Sequence, residues 1–160
     1  MPRFSNMKIV IASDHAGFAL KEKLIPFLKE LGHEVIDQGA ATYAEGDDYP
    51  DFIAPAAKAV SDDPTLTRGI ILGGSGQGEA MCANRFPRVR ATVYYGGPKE
   101  IVTLSREHND ANILSLGARF VDEAAAKEAI QLWLGTPASA DPKYARRIEA
   151  VEKLSDSTAS

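Results

Sequence analysis

Short runs of branched apolar residues alternate along the chain with longer stretches in which apolar side chains recur every three or four positions. Met7–Ala12 (MKIVIA) is rich in Ile and Val and flanked by polar residues, the pattern of a buried strand. Ala16–Leu31 places Leu20, Leu24, Phe27, Leu28 and Leu31 on one helical face. Pro26 is expected to kink that helix or weaken one turn, and Gly32 to cap it. Glu34–Asp37 predicts a second strand, and residues 38–50 form a polar loop. Helix is then expected over Phe52–Ser61, strand over Arg68–Leu72, a short helix over Glu79–Arg85 and strand over Arg90–Tyr95. Next come a helix over Pro98–Glu107, with Pro98 near its first position, and a strand over Ile113–Leu116 closed by Gly117. An alanine-rich helix, Asp122–Leu134, stops at Gly135, and a last helix, Asp141–Leu154, carries Ile148, Val151 and Leu154 on one side. Residues 1–6 and 155–160 are expected to fray.

Strands separated by helices at this spacing require right-handed crossovers and a parallel sheet. The expected fold class is α/β: a three-layer, doubly wound, five-stranded parallel sheet of Rossmann or flavodoxin type with an extra C-terminal helix. The 160 residues suit one domain, and no repeat or linker divides them. Composition (44% hydrophobic, 25% charged) is that of a globular protein. Cys82 is the single cysteine, which excludes a disulfide framework. No apolar run approaches the roughly 20 residues that span a bilayer. The N-terminal apolar stretch is interrupted by Ser13-Asp14-His15 and lacks a small-residue cleavage pattern, so it reads as a strand and not a signal peptide. A cytoplasmic location is the resulting default. Net charge is −4, without the basic excess of a nucleic-acid binder. Two local basic spots, Arg85/Arg88/Arg90 and Lys143/Arg146/Arg147, suit a small anion or are simply solvated surface charges.

In doubly wound sheets ligands bind beyond the carboxyl ends of the strands. Those positions hold Ser13-Asp14-His15, Gly73 to Glu79, and Gly117-Ala118-Arg119. They meet in one cleft if the strand order reverses near strands one and three. The turn GGSGQGE carries Gly73, Gly74, Gly76 and Gly78, which is costly in backbone entropy unless the glycines have a use. Glycine lets backbone amides approach a ligand closely, and the helix that follows adds a positive dipole end, so the turn suits an anion or a developing oxyanion. The alternative is a plain tight turn. No Gly-Lys-Ser/Thr follows, so it is not a P-loop, and Glu79 stands where the dinucleotide fingerprint needs glycine. Glu79 either compensates the helix dipole or moves a proton beside those amides. Burial would raise its pKa and the helix terminus would lower it. His15 is structural or a ligand contact. His108 precedes strand five, at the opposite edge of its own sheet, and reaches the cleft most easily from a second subunit; otherwise it interacts with its helix dipole. Met81, Cys82 and Trp133 read as packing residues. No His/Cys/Asp grouping has metal-ligand spacing, so no metal is expected.

Several segments carry a resemblance: IASDHAGFALK, DYP, GGSGQGEAMCANRFPRVRA, SREHNDANILSLGARF and RRIEA, running from Met7 to about Val151. In them the chain resembles the family of type B ribose-5-phosphate isomerases, which also contains galactose-6-phosphate isomerase subunits. The resemblance implies a dimer with active sites shared between subunits, or a tetramer of such dimers, and no cofactor. It implies that Asp14 assists ring opening, His15 binds the phosphate end, and Tyr49 lines the sugar pocket. The amides around Gly74, Ser75, Gly76, Gln77 and Gly78 would form the oxyanion site. The family's base is either a cysteine at the position of Gly73 or a glutamate at that of Glu79, and this chain has the glutamate. His108 and Asn109 would act from the neighbouring subunit, and Arg119 and Arg147 would grip the phosphate. Lys143 stands where the family usually has arginine, and keeps the charge without the bidentate fork. Its neighbour Tyr144 stands where many relatives have histidine.

The implied reaction is interconversion of ribose 5-phosphate and ribulose 5-phosphate through a cis-enediolate. Two alternatives remain open on sequence: isomerisation of a tetrose or hexose phosphate, and a non-catalytic flavodoxin-like module that holds a phosphorylated ligand.

Overall fold

The Ile/Val-rich runs form five strands, and the computed structural model describes residues 7–158. In chain order the elements are β1 (Lys8–Ser13), a 3-10 turn (His15–Gly17), α1 (Phe18–Glu30), β2 (Glu34–Asp37), α2 (Pro50–Asp62), β3 (Thr67–Gly73), α3 (Gln77–Ala83), β4 (Ala91–Tyr94), α4 (Glu100–Glu107), β5 (Ile113–Gly117), α5 (Glu123–Gly135) and α6 (Pro142–Thr158). All pairings are parallel, in the order β2-β1-β3-β5-β4. The winding reverses between β1 and β3. The chain also runs past β5's place to form β4 and then returns, so β5 lies directly beside β3.

Alternation along the central strands feeds two cores. Ile9, Ile11, Ile70, Leu72, Leu114 and Leu116 point to one side and pack with Leu24, Leu28 and Trp133 from α1 and α5. Val10, Ala12, Ile71 and Ile113 point to the other and pack with Ile53, Ala56, Ala57 and Val60 of α2 and Ala83 of α3. Each large aliphatic side chain fully withdrawn from water contributes about 1.5–3 kcal/mol. Because both faces are covered, β1, β3 and β5 are near-continuous apolar runs instead of alternating ones. Register then sets the site: Ser13 pairs with Leu72 and Gly73 with Gly117, so three strands end at one level.

Several expectations are corrected. Helix α1 starts at Phe18, because the Asp14 carboxylate caps a separate 3-10 turn by accepting from the Ala16 and Gly17 amides. It runs through Pro26 to Glu30, leaving only the carbonyl four residues earlier without its helical donor. Leu31 is 39% exposed, since it lies past the last turn. Gly32 does close the helix, with φ of 95° and its N–H on the Lys29 carbonyl. Helix α3 begins at Gln77 instead of Glu79, and Met81 faces solvent because the helix buries Glu79, Ala80 and Ala83. Val151 and Leu154 are exposed, since α6 lies on the outside of the domain, and that helix continues beyond Leu154 to Thr158. The fraying expected for residues 1–6, 159 and 160 falls outside the described residues. Among the described residues no helix is long and apolar enough to cross a membrane.

Candidate active site

Strand β3 delivers the glycine turn to the level where β1 and β5 end. The turn is held by its neighbours: the Ala118 and Arg119 amides donate to the Gly73 and Gly74 carbonyls at 2.8 and 3.1 Å, and Ser115 Oγ donates to the Gly76 carbonyl at 2.6 Å. Gly76 has φ of 81°, a left-handed conformation that favours glycine, and a Cβ there would sit 3.0 Å from the Leu116 carbonyl carbon. Left-handed Gly76 turns the chain into α3, whose first N–H groups have no intrahelical acceptor. The Gln77 amide donates to Ser75 Oγ at 3.3 Å.

Glu79 folds back from the first turn of α3 and is 4% exposed. Its carboxylate occupies the volume in front of Gly73: a Cβ on Gly73 would lie 1.3 Å from Oε1 and 2.1 Å from Cδ. The absence of a side chain at position 73 is therefore what lets the acid reach the strand end. Burial pushes the Glu79 carboxyl above its usual range; its own backbone N–H pulls the other way and the Asp14 charge adds to the rise. Burial also pushes the Cys82 thiol up, with the Glu79 charge adding, which leaves it a poor nucleophile.

Two further turn positions are open for neighbours. The Tyr49 ring packs where a Cβ on Gly78 would be, 2.8 Å from its hydroxyl oxygen. The Arg119 guanidinium lies over Gly74, 3.1 Å from where a Cβ would stand. From β1, His15 Nδ1 bonds Asp47 Oδ1 at 2.7 Å, and the same oxygen accepts the His15 backbone N–H at 3.0 Å. That hydrogen bond holds the imidazole above its usual pKa; burial lowers it, the Asp14 charge raises it and Arg119 lowers it. Asp14, His15 and Asp47 bring three ligand-type atoms within 4.8 Å of one another. That is one donor fewer than a closed structural zinc site, and the His15–Asp47 bond already uses Nδ1.

Asp14, His15, Tyr49, Gly74, Ser75, Gly76, Gln77, Gly78, Glu79 and Arg119 thus gather at one strand edge. His108, Asn109, Lys143 and Arg147 do not. His108 caps the C-terminal end of α4, before β5 and at the other end of the sheet. Its ring stacks on Tyr144 at 4.3 Å and 12°. Lys143 Nζ and the Arg147 guanidinium lie 5.0 and 5.8 Å from the same tyrosine ring. This second cluster lines cavities of about 430 Å³ (His108, Tyr144) and about 350 Å³ (Asn109, Arg147), neither of them lined by Glu79. Two residues carry structural weight without a role assigned from sequence. Asp47 sits in the acidic run before Tyr49, and only its contact with His15 sets it apart there. Ser115 is a core position whose contact with Gly76 only the strand order discloses.

A parallel sheet whose switch point carries amide donors, a buried carboxylate and a cationic rim defines an α/β enzyme suited to proton transfer on a small anionic molecule. Comparison with known proteins narrows this: the Ribose/Galactose Isomerase family model matches residues 9–151. The chain belongs to that family. Ribose-5-phosphate isomerase B of Mycolicibacterium paratuberculosis is 42% identical over 144 residues, 89% of this chain and 88% of that one. The Escherichia coli enzyme of the same name is 37% identical over 147 residues, 92% of this chain and 95% of that one. Among solved structures, ribose-5-phosphate isomerase B from Mycoplasma genitalium with bound ribulose-5-phosphate superposes with a TM-score of 0.89 at 31% identity, covering 94% of this chain and 97% of that one.

Proposed function

We propose that this chain is an aldose–ketose isomerase that interconverts ribose 5-phosphate and ribulose 5-phosphate, with Glu79 as the base. The observation that carries this reading is the Glu79 carboxylate, buried in the gap left by Gly73 beside the amide-rich turn. The ring form opens first, with Asp14 and His108 moving protons between ring oxygen and hydroxyl. Glu79 then takes the proton from C2. The C2–H electron pair forms the C1–C2 double bond, and negative charge passes to the C1 oxygen, giving a cis-enediolate. The turn amides around Gly74 to Gly78 stabilise that charge; one such donor contributes about 3 kcal/mol. Return of the proton to C1 and transfer of the hydroxyl proton from O2 to O1 complete the ketose; C2 is oxidised as C1 is reduced, so the step needs no external oxidant, reductant or cofactor. Holding the phosphate at His15 and Arg119 fixes C1 and C2 against the base and converts remote binding into orientation.

The separation of His108, Asn109, Lys143 and Arg147 from Glu79 supports a homodimer in which each site takes these four from the partner chain. We place the enzyme in the cytoplasm, where the lone thiol of Cys82 remains reduced. Lys143 in place of a forked cation leaves the phosphate grip able to suit a shorter or longer sugar. The test is turnover of four-, five- and six-carbon phosphosugars ranked by kcat/KM. Ribose 5-phosphate should lead. A four- or six-carbon preference would refute the substrate, and tight binding without turnover of any would refute the enzyme. For the shared site, Glu79→Gln and His108→Ala dimers are mixed and exchanged. Hybrids carry one intact site in two, so activity should return to about a quarter of wild type. No recovery in a verified hybrid would refute sharing.

A further inference from the structure

The opposite edge of the sheet holds a cavity that the isomerase reading leaves unused. It has a volume of about 260 Å³ and lies where β3, β4 and β5 begin. Four arginines line it, Arg68, Arg88, Arg90 and Arg106, with Asp110 and Glu152 as the carboxylates. The two carboxylates are already committed. Asp110 pairs with Arg106 at 2.7 Å and Arg90 at 3.5 Å, and Glu152 pairs with Arg90 at 2.7 Å. Neither Arg68 nor Arg88 has a carboxylate partner among the described ion pairs. The Arg88 guanidinium donates to the Ser61 carbonyl at 2.9 and 3.3 Å, which fixes its position without cancelling its charge.

Arg68 is the informative group. Its Nη1 is buried with no hydrogen-bond partner in the chain, and its guanidinium lies 5.3 Å from the centre of the Trp133 ring. A buried guanidinium N–H without an acceptor is expensive, and such groups call for a missing partner. Burial, with repulsion from Arg106 added, pulls the Arg68 pKa down to about 10, so the group remains charged at neutral pH. The backbone is also forced here. Arg88 and Asp110 are the two described non-glycine residues with positive φ, at 63° and 45°, and both line this cavity. Strain of this kind persists where the surrounding structure needs the side chain in place.

Four guanidinium charges against two carboxylates leave two positive charges over. We propose that this cavity is a second binding site, for a phosphate-class dianion, held chiefly by Arg68 and Arg88 and separate from the Glu79 site. A tetrahedral dianion matches the surplus charge, supplies acceptors for guanidinium forks and fits the space. Its source is either inorganic phosphate or the phosphate of a phosphomonoester, and the same four groups would grip both. This proposal does not rest on the isomerase reading.

Isothermal titration in phosphate-free buffer tests it, with inorganic phosphate in one arm and glycerol phosphate in the other. The wild-type chain should bind phosphate at one site more than an Arg68→Gln chain does. Arg88→Gln, a surface change that leaves Arg68 in place, should weaken that extra site at least tenfold. Isomerase kcat and KM without added phosphate should stay within twofold in Arg68→Gln, since Arg68 lines neither cavity of the His108–Arg147 cluster. Binding in both arms assigns the site to the phosphate group itself, and binding only in the first assigns it to the free ion. An equal number of phosphate sites in wild type and both variants would overturn the proposal. So would Arg68→Gln raising thermal stability while phosphate stabilises both proteins alike, because Arg68 would then be a buried charge and nothing more.

Discussion

Replacing Gly73 by alanine tests the placement of Glu79 without touching the carboxylate. The new Cβ would stand 1.3 Å from Oε1, 2.1 Å from Cδ and 2.5 Å from Oε2, whereas ordinary contact begins near 3.4 Å. The carboxylate must therefore retreat by about 2 Å, and misplacement of a reacting group by even 1 Å can cost about 100-fold in rate. The fold should tolerate the change. The clash is with the far end of a flexible side chain, and Gly73 has no positive φ that alanine would strain. Thermal unfolding should show Gly73→Ala folded, and KM for ribose 5-phosphate should move little, while kcat falls by at least 100-fold. Glu79→Gln should lower kcat by about 100- to 10,000-fold, the usual worth of a positioned base. The decisive measurement is the double variant. If alanine acts only by displacing the base, Gly73→Ala combined with Glu79→Gln should be no slower than Glu79→Gln alone. Multiplicative losses would mean that Gly73 serves some other purpose and that the reasoning about the shared volume is wrong.

Other consequences follow from the charges around the site. The Glu79 carboxyl is raised by burial first, so the acid limb of kcat/KM should lie above the ordinary glutamate range. Asp14→Asn, which removes a charge that adds to the rise, should move the limb to lower pH in whatever activity remains. A limb at the ordinary glutamate pKa would remove Glu79 from that role. The sign for stability is opposite: a raised carboxyl stabilises fully below the ordinary range and loses that contribution as pH rises through the raised value. The thermal midpoint of Glu79→Gln minus that of wild type should therefore grow from pH 4 to pH 8, and a flat difference would contradict the burial. Asp47→Asn removes the group that chiefly raises the His15 pKa, so that pKa should fall by NMR and KM should rise more than kcat drops at pH 7.5. An unmoved imidazole titration would show that Asp47 does not tune it. Finally, Lys21 Nζ is wholly buried and bonded to both Asp37 oxygens at 2.7 and 2.8 Å. Asp37→Ala should cost about 2–3 kcal/mol by urea unfolding, below the full cost of breaking a buried pair because Asp37 is partly exposed and Glu22 remains.

The strands were legible because both faces of the sheet are covered, which turns them into apolar runs that single-residue errors do not disguise. The glycine turn and Glu79 were legible because local chemistry and position after a strand agree. Strand order was not. Placing β5 between β3 and β4 is a choice among crossovers of similar length, and it is what brings Arg119 onto Gly74 and Ser115 onto Gly76. Met81 reads as a packing residue by type, yet it lies on the exposed face of α3.

Asp47 escaped for a different reason. Its value lies in a contact with His15 across 32 residues, which neither spacing nor periodicity encodes. The same limit explains why the candidate site divides in two. Between Asn112 and Ala118, β5 runs through five residues at about 3.3 Å each, a span of about 16 Å that no side chain bridges. His108 and Arg147 belong to one end of that span and Glu79 to the other. In the proposed dimer, a substrate gripped by both lies between two copies of the chain. The stacking of His108 on Tyr144, with Lys143 and Arg147 against the same ring, makes a compact cationic cluster, the one that the proposed dimer would present to its neighbour. A Tyr144→Ala chain should accordingly lose phosphate affinity, raising KM several-fold, while Glu79 and its pH limb stay where they are. Loss of kcat with KM unchanged would place the tyrosine on the chemistry and not on the grip.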